Sequence, residues 1–115
     1  MRDPGRFVQV STTVDNEKTA NKIANTLLEK RLASCIQVLG PVKSSYWWKG
    51  KIEHAREWCC LIKARTRDYR SIERTIRAEH PYDVPEILAF SVVSGHSAYL
   101  EWICKETKRS SGSRS

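Results

Sequence analysis

The chain has 115 residues, 40% of them hydrophobic and 29% charged, and its 20 basic against 13 acidic side chains leave it at +7. That length sets an expectation of one domain, and this balance of apolar and charged residues excludes both a disordered and a fibrous chain. No run approaches the roughly 18 apolar residues of a membrane span. Met1-Arg2-Asp3-Pro4-Gly5 does not lead into a signal-peptide core, so a cytoplasmic protein with no membrane partner is expected.

Phe7 to Thr13 is short and β-branched and reads as a buried strand. Asp15 follows as the expected cap of a helix over 16–31, in which Ala20, Ile23, Ala24, Leu27 and Leu28 keep one apolar face while Lys18, Lys22 and Lys30 face water. From Ala33 to Trp48 the chain alternates Ile36 and Val38 with Cys35 and Gln37, and Gly40-Pro41 signals a bulge or bend. Lys49-Gly50 makes a tight turn, and Lys51 to Thr66 returns through Ile52, Trp58, Cys60, Ile62 and Ala64. These arms exceed the usual 3–10 residues of a strand, so Trp47, Trp48 and Ile52 at their far end require another surface, expected to be a second copy of the chain.

Asp68 is expected to cap a second helix with Tyr69, Ile72 and Ile76 inward, which Pro81 stops at about Glu79 or His80. Glu86 to Val93 reads as a fourth strand, and Ser97 as the cap of a last helix burying Tyr99, Trp102 and Ile103. The order is βαββαβα. It predicts an α+β fold, a ferredoxin-like βαββαβ sandwich with a long hairpin between its second and third strands and a C-terminal helix. Residues 1–107 form the expected single domain; 108–115, basic and serine-rich, form an expected disordered tail.

The richest stretch chemically is His80-Pro81-Tyr82-Asp83-Val84-Pro85-Glu86-Ile87, where two prolines hold an imidazole, a phenol and carboxylates at a stiff corner. Cys35, Cys59, Cys60 and Cys104 have no CxxC or zinc-finger spacing and read as reduced thiols. Imidazole, thiolate and carboxylate together suit copper or zinc, and His80, Cys35 and Glu86 provide one of each. Lys63 interrupts the apolar run Leu61 to Ala64, so it points either to solvent or to an anion or carboxylate such as Glu86.

Ala33-Ser34-Cys35-Ile36-Gln37, Gly40-Pro41, Ser45 through Glu53, Ile62-Lys63, His80 through Ile87 and Tyr99-Leu100-Glu101-Trp102 occur in one order and resemble the CutA1 divalent-cation tolerance proteins over about residues 7–107. The resemblance implies a trimer related in architecture to the PII signalling proteins and linked to tolerance of copper and other divalent metals. It also places Lys63 in an intersubunit cleft, lined by Tyr82, Tyr46 and Trp48. Copper-binding bacterial relatives carry a cysteine in the first strand and a paired histidine before the proline; Ser11 and Glu79 stand there. Oxygen in place of soft ligands predicts weak Cu(II) or Zn(II) binding through His80 with Cys35, Glu86 or Glu79, and a shift towards harder cations.

The leading expectation is a homotrimeric, non-enzymatic protein binding a divalent metal ion, with a PII-like sensor of a small anionic ligand as the alternative. An RNA-recognition module shares the βαββαβ order but needs aromatic residues exposed on its first and third strands; here these hold only Phe7 and Trp58, so no nucleic-acid partner is expected. A thiol hydrolase would need Cys35 beside His80, and no glycine-rich phosphate loop or HExxH helix supports catalysis.

Overall fold

The computed structural model describes residues 5–109. Its elements are β1 (Phe7–Val14), α1 (Glu17–Glu29), β2 (Cys35–Trp48), β3 (Lys51–Arg65), a 3-10 turn (Thr66–Asp68), α2 (Tyr69–Glu79), β4 (Ile87–Ser91) and α3 (Ser97–Glu106). The strands form one antiparallel sheet in the order β2-β3-β1-β4, the ferredoxin-like arrangement expected from the element order. The predicted tail falls outside the described residues except for Lys108 and Arg109. Arg109 is tied to the domain by a 2.7 Å ion pair with Asp68 and by bonds to the Arg31 and Thr107 carbonyls.

Strand alternation divides the sheet into two unlike faces. Val8, Val10 and Val14 of β1 and Cys60, Ile62 and Ala64 of β3 turn towards the helices, where they meet Ala20, Ile23 and Leu27 of α1 and Ile72 and Ile76 of α2. Gln9, Ser11, Thr13, Cys59, Leu61, Lys63, Leu88 and Phe90 have the opposite parity. Leu39, Leu88 and Phe90 are exposed, so this mixed face is open around them in the single chain, whereas Phe7 and Arg65, of the same parity at the start of β1 and the end of β3, are buried.

Local chemistry explains the boundaries. Asn16, not Asp15, caps α1: its Oδ1 accepts from the Thr19 N–H at 2.8 Å, and Asp15 in turn accepts from the Asn16 amide. The helix closes in a Schellman turn, Arg31 at φ 59° donating to the Leu28 carbonyl and Leu32 to the Leu27 carbonyl. Asp68 precedes α2 but makes no capping bond, because its carboxylate is buried against Arg109. The last helix corrects a further expectation. Ser97 is its first residue rather than its cap, and only Ile103 of the three expected inward residues is buried. Tyr99 and Trp102 stack on each other with ring centroids 5.6 Å apart and stay about two-fifths exposed, since the described residues cover these rings only in part.

The hairpin is as long as expected, 14 residues in β2 and 15 in β3, and stretches the domain to 46 Å in its longest dimension. Lys49 (φ 51°) and Gly50 (φ 79°) form the two-residue turn that suits the right-handed strand twist. Pairing slips between Leu39 and Val42, so the predicted bulge lies at Gly40-Pro41. Trp58 needs that slip. A Cβ on Gly40 would fall 2.4 Å from Cδ1 of the Trp58 indole, which is packed against the core and cannot swing aside. Gly40→Ala is therefore expected to destabilise the domain by about 1–3 kcal/mol in urea denaturation, the usual magnitude for overpacking. A Trp58→Phe background should recover part of this loss; an unchanged midpoint for Gly40→Ala would refute the account.

Candidate functional site

The residues singled out from the sequence fall into two groups at opposite ends of the open face. Cys35 pairs with Lys63, and Lys63 with Gln9 of β1. The Lys63 ammonium donates to Gln37 Oε1 at 2.7 Å, and burial first, and then nearby Cys35, push the Tyr99 phenol pKa upward. At the other end, His80 bonds the backbone of Thr13. Gln9 and Thr13 are four steps apart along β1, roughly 13 Å at strand rise, so within one chain Cys35 and Lys63 lie far from His80. Glu79 is elsewhere again: its carboxylate accepts from the Thr26 hydroxyl of α1 at 3.1 Å.

His80 sits where the sheet runs out. β4 pairs with β1 only as far as Ile87 opposite Thr12, so the next carbonyl, that of Thr13, meets the imidazole instead of a strand. Thr13 O only accepts, and the Tyr82 N–H, 3.2 Å from Nδ1, only donates. These partners assign the neutral tautomer, with Nε2–H donating to Thr13 at 2.8 Å and Nδ1 accepting from Tyr82. Both ring nitrogens are engaged within the chain.

Tyr82 closes the corner. Its ring packs edge-on to His80 at 4.8 Å between centroids, and its hydroxyl donates to Glu57 Oε2 at 2.7 Å. Burial, and then this bond to Glu57, push the phenol pKa upward. Glu57 is only 7% exposed although it lies on β3 with the parity of the open face. Around it opens a cleft of about 620 Å³ lined by Thr13, Tyr46, Trp48, Tyr82, Asp83 and Glu86, with Ser44, Ser45 and Val84 completing the wall. Burial first, and then Glu86 and Glu57, raise the pKa of Cys59, keeping a neighbouring sulfur as thiol rather than thiolate.

The cleft thus gathers Tyr46, Trp48, Tyr82 and Glu86 and leaves out Lys63, Cys35, His80 and Glu79. Its central residue, Glu57, was not singled out from the sequence. Parity with Cys59 and Leu61, against Trp58, Cys60 and Ile62, is the signal that places this carboxylate on the open face. Three carboxylates among aromatic rings suit a cation, on a chain whose overall charge is positive. Among the described residues, however, no three His, Cys, Asp or Glu side chains converge as a metal site, so one copy offers no complete donor set.

Burial lowers the His80 pKa, opposed by its bond to Thr13 and by Asp15 and Glu57. The folded state therefore binds this proton less readily than an unfolded histidine of pKa about 6.5. Stability from His80 is complete above about pH 6.5 and is lost as pH falls through the lower folded value. His80→Gln keeps an N–H donor for Thr13 but cannot titrate there, so it should lose less stability than wild type between about pH 7 and pH 5 in urea denaturation. Equal losses would rule out His80 as a contributor.

The model of the family described as CutA1 divalent ion tolerance protein matches residues 8–106. The mouse protein CutA is 37% identical over 110 residues, 96% of this chain and 62% of its own length. The divalent-cation tolerance protein CutA of Pectobacterium atrosepticum is 38% identical over 96 residues, 84% of this chain and 87% of its own. Among solved structures, CutA1 from Oryza sativa superposes with a TM-score of 0.87 at 31% identity, covering 91% of this chain and 96% of that one. The periplasmic divalent cation tolerance protein CutA from Archaeoglobus fulgidus gives 0.86 at 32%, covering 89% and 99%. The chain spans about three-fifths of the length of the mouse, rice and human relatives it matches. A match over nearly every described residue, together with the shared fold, leads to one assignment: the chain belongs to the CutA1 divalent ion tolerance protein family.

Proposed function

We propose that this chain is a non-enzymatic, homotrimeric cation-binding protein of divalent-metal tolerance, whose ligand enters the cleft around Glu57. The observation that carries this reading is a carboxylate 7% exposed, facing a cleft walled by rings and two further carboxylates. It favours a cation over the small anionic ligand, because Lys63 stands outside the cleft and is engaged by Gln37. The distance between Cys35 and His80 weighs against a thiol hydrolase. Four free cysteines accord with a cytoplasmic setting, although the Archaeoglobus relative is described as periplasmic and the rice protein CutA 1 as chloroplastic.

Assembly rests on exposed apolar surface. Trp47 is 73% exposed and Trp48 and Ile52 more than half, while Leu88 and Phe90 lie on an uncovered sheet face next to the unpaired edge of β4. Three is the number implied by the resemblance, and a closed ring is the physical expectation. Of the four residues read as metal donors, only Glu86 lines the cleft. His80 would have to release Thr13 or Tyr82, and Glu79 would have to leave Thr26. Weak Cu(II) or Zn(II) binding therefore requires donors from more than one copy.

Two measurements test this reading. Wild type should sediment as a trimer at micromolar concentration, and Trp47→Ser with Trp48→Ser should give monomers or aggregates; a wild-type monomer would reject assembly. Calorimetric titration of Cu(II), Zn(II) and Mn(II) should show weak binding that Glu86→Gln reduces. His80→Ala should also weaken it if the imidazole ligates, in which case binding falls with pH as protons compete for the ring. No heat with any metal would sink the metal reading.

A further inference from the structure

Physical details of the cleft point beyond a metal ion. Among the described residues its carboxylates do not gather into a metal-type cluster: Glu57 lies on β3, whereas Asp83 and Glu86 come from the loop between α2 and β4, and the rings of Tyr46, Trp48 and Tyr82 share the wall with them. A single metal ion needs its oxygen donors at about 2–2.6 Å on all sides. A cleft of about 620 Å³ with spaced charges and aromatic walls lies instead in the size range of organic-ligand pockets.

Glu57 supplies the sharpest constraint. One of its oxygens accepts from Tyr82, and the carboxylate lines the cleft although the residue is more than nine-tenths buried. A carboxylate held in the wall of an aromatic cleft favours a positive partner over a neutral or negative one. Trp48 already receives such a group on its ring, for the Lys49 ammonium of this chain rests 5.9 Å from its centroid. Asp83 and Glu86 provide a second negative region in the same cleft.

We infer that the cleft binds an organic dication, an aliphatic diamine or polyamine with one ammonium at Glu57 and its methylene stem between the rings of Tyr46, Trp48 and Tyr82. The far ammonium meets Asp83 and Glu86. The inference rests on the cleft being the cation site, and it names an organic ligand class in place of a bare ion.

The test uses 1,5-diaminopentane, with 1,5-pentanediol and glutarate as matched controls, titrated into the full chain by calorimetry and followed by tryptophan fluorescence. The diamine should bind and quench fluorescence, the diol and the diacid should not, and Glu57→Gln should lose at least about tenfold in affinity, as for removal of a charge-assisted bond. If Glu57→Gln does not fold, exposed Glu86→Gln decides, with a smaller loss expected. Equal binding of diol and diamine, affinity unchanged in the variant that folds, or no binding of the diamine would overturn the inference. The last would also be the result if a neighbouring copy fills the cleft. Metal titrated alone separates the two readings: metal binding without diamine binding ends only this inference, whereas binding of neither ends both.

Discussion

A strand sends alternate side chains to opposite faces, and here helices α1 and α2 cover only one of them. Most of the domain follows from that asymmetry. Val10, Ile62, Ile23, Leu27, Ile72 and Ile76 are fully buried on the covered side, each side chain removing apolar surface worth about 1.5–3 kcal/mol. The uncovered side keeps Leu39, Leu88 and Phe90 in contact with solvent, together with the polar residues that build the site. A slip of one residue in the register of β3 would exchange Glu57 for Trp58 and bury the carboxylate against the core.

The long hairpin carries the same alternation past the edge of the helical layer. There the Gly40-Pro41 bulge shifts the pairing of β2 and β3, so that Leu39 faces Cys59 but Val42 faces Glu57. Two residues of β2 are passed over against one of β3, and the strand beyond the bulge brings Ser44, Tyr46 and Trp48 to the cleft. Close packing of Gly40 on Trp58 holds this geometry from the core side. Core and cleft are therefore joined through one aromatic side chain.

The opposite wall depends on a polar chain of contacts. Thr13 O holds His80, His80 accepts from the Tyr82 N–H, and the Tyr82 hydroxyl reaches Glu57. Each partner satisfies a group that is partly or wholly withdrawn from water, so losing one leaves the next unpaired. The histidine thus organises the site without lining it. Fixing the loop between Pro81 and Glu86 places Asp83 and Glu86 across from Glu57.

Much of this was legible in the sequence because it depends on period and punctuation. The 3.6-residue rhythm of Ala20, Ile23, Ala24 and Leu27, the alternation of Ile36 and Val38, the Lys49-Gly50 turn and the Pro81 stop are local signals, and the element order and hairpin follow from them. The resemblance of the motifs to the CutA1 proteins held over residues 8–106. What local signals do not carry is which residues meet across strands. Cys35 and His80 share a plausible ligand chemistry, yet sheet register places them at opposite ends of β1; Lys63 and Tyr82 are divided in the same way. Tyr99 and Trp102 have helical spacing for a buried face, but only packing decides how much surface lies opposite, and the described residues leave both rings about two-fifths exposed. Asn16 and Asp15 are equivalent caps by composition, and the dihedral of one residue separates them. Glu57 looked like an ordinary charged residue on a long strand. It became the centre of the site only because Tyr82, 25 positions later, folds back to bury it.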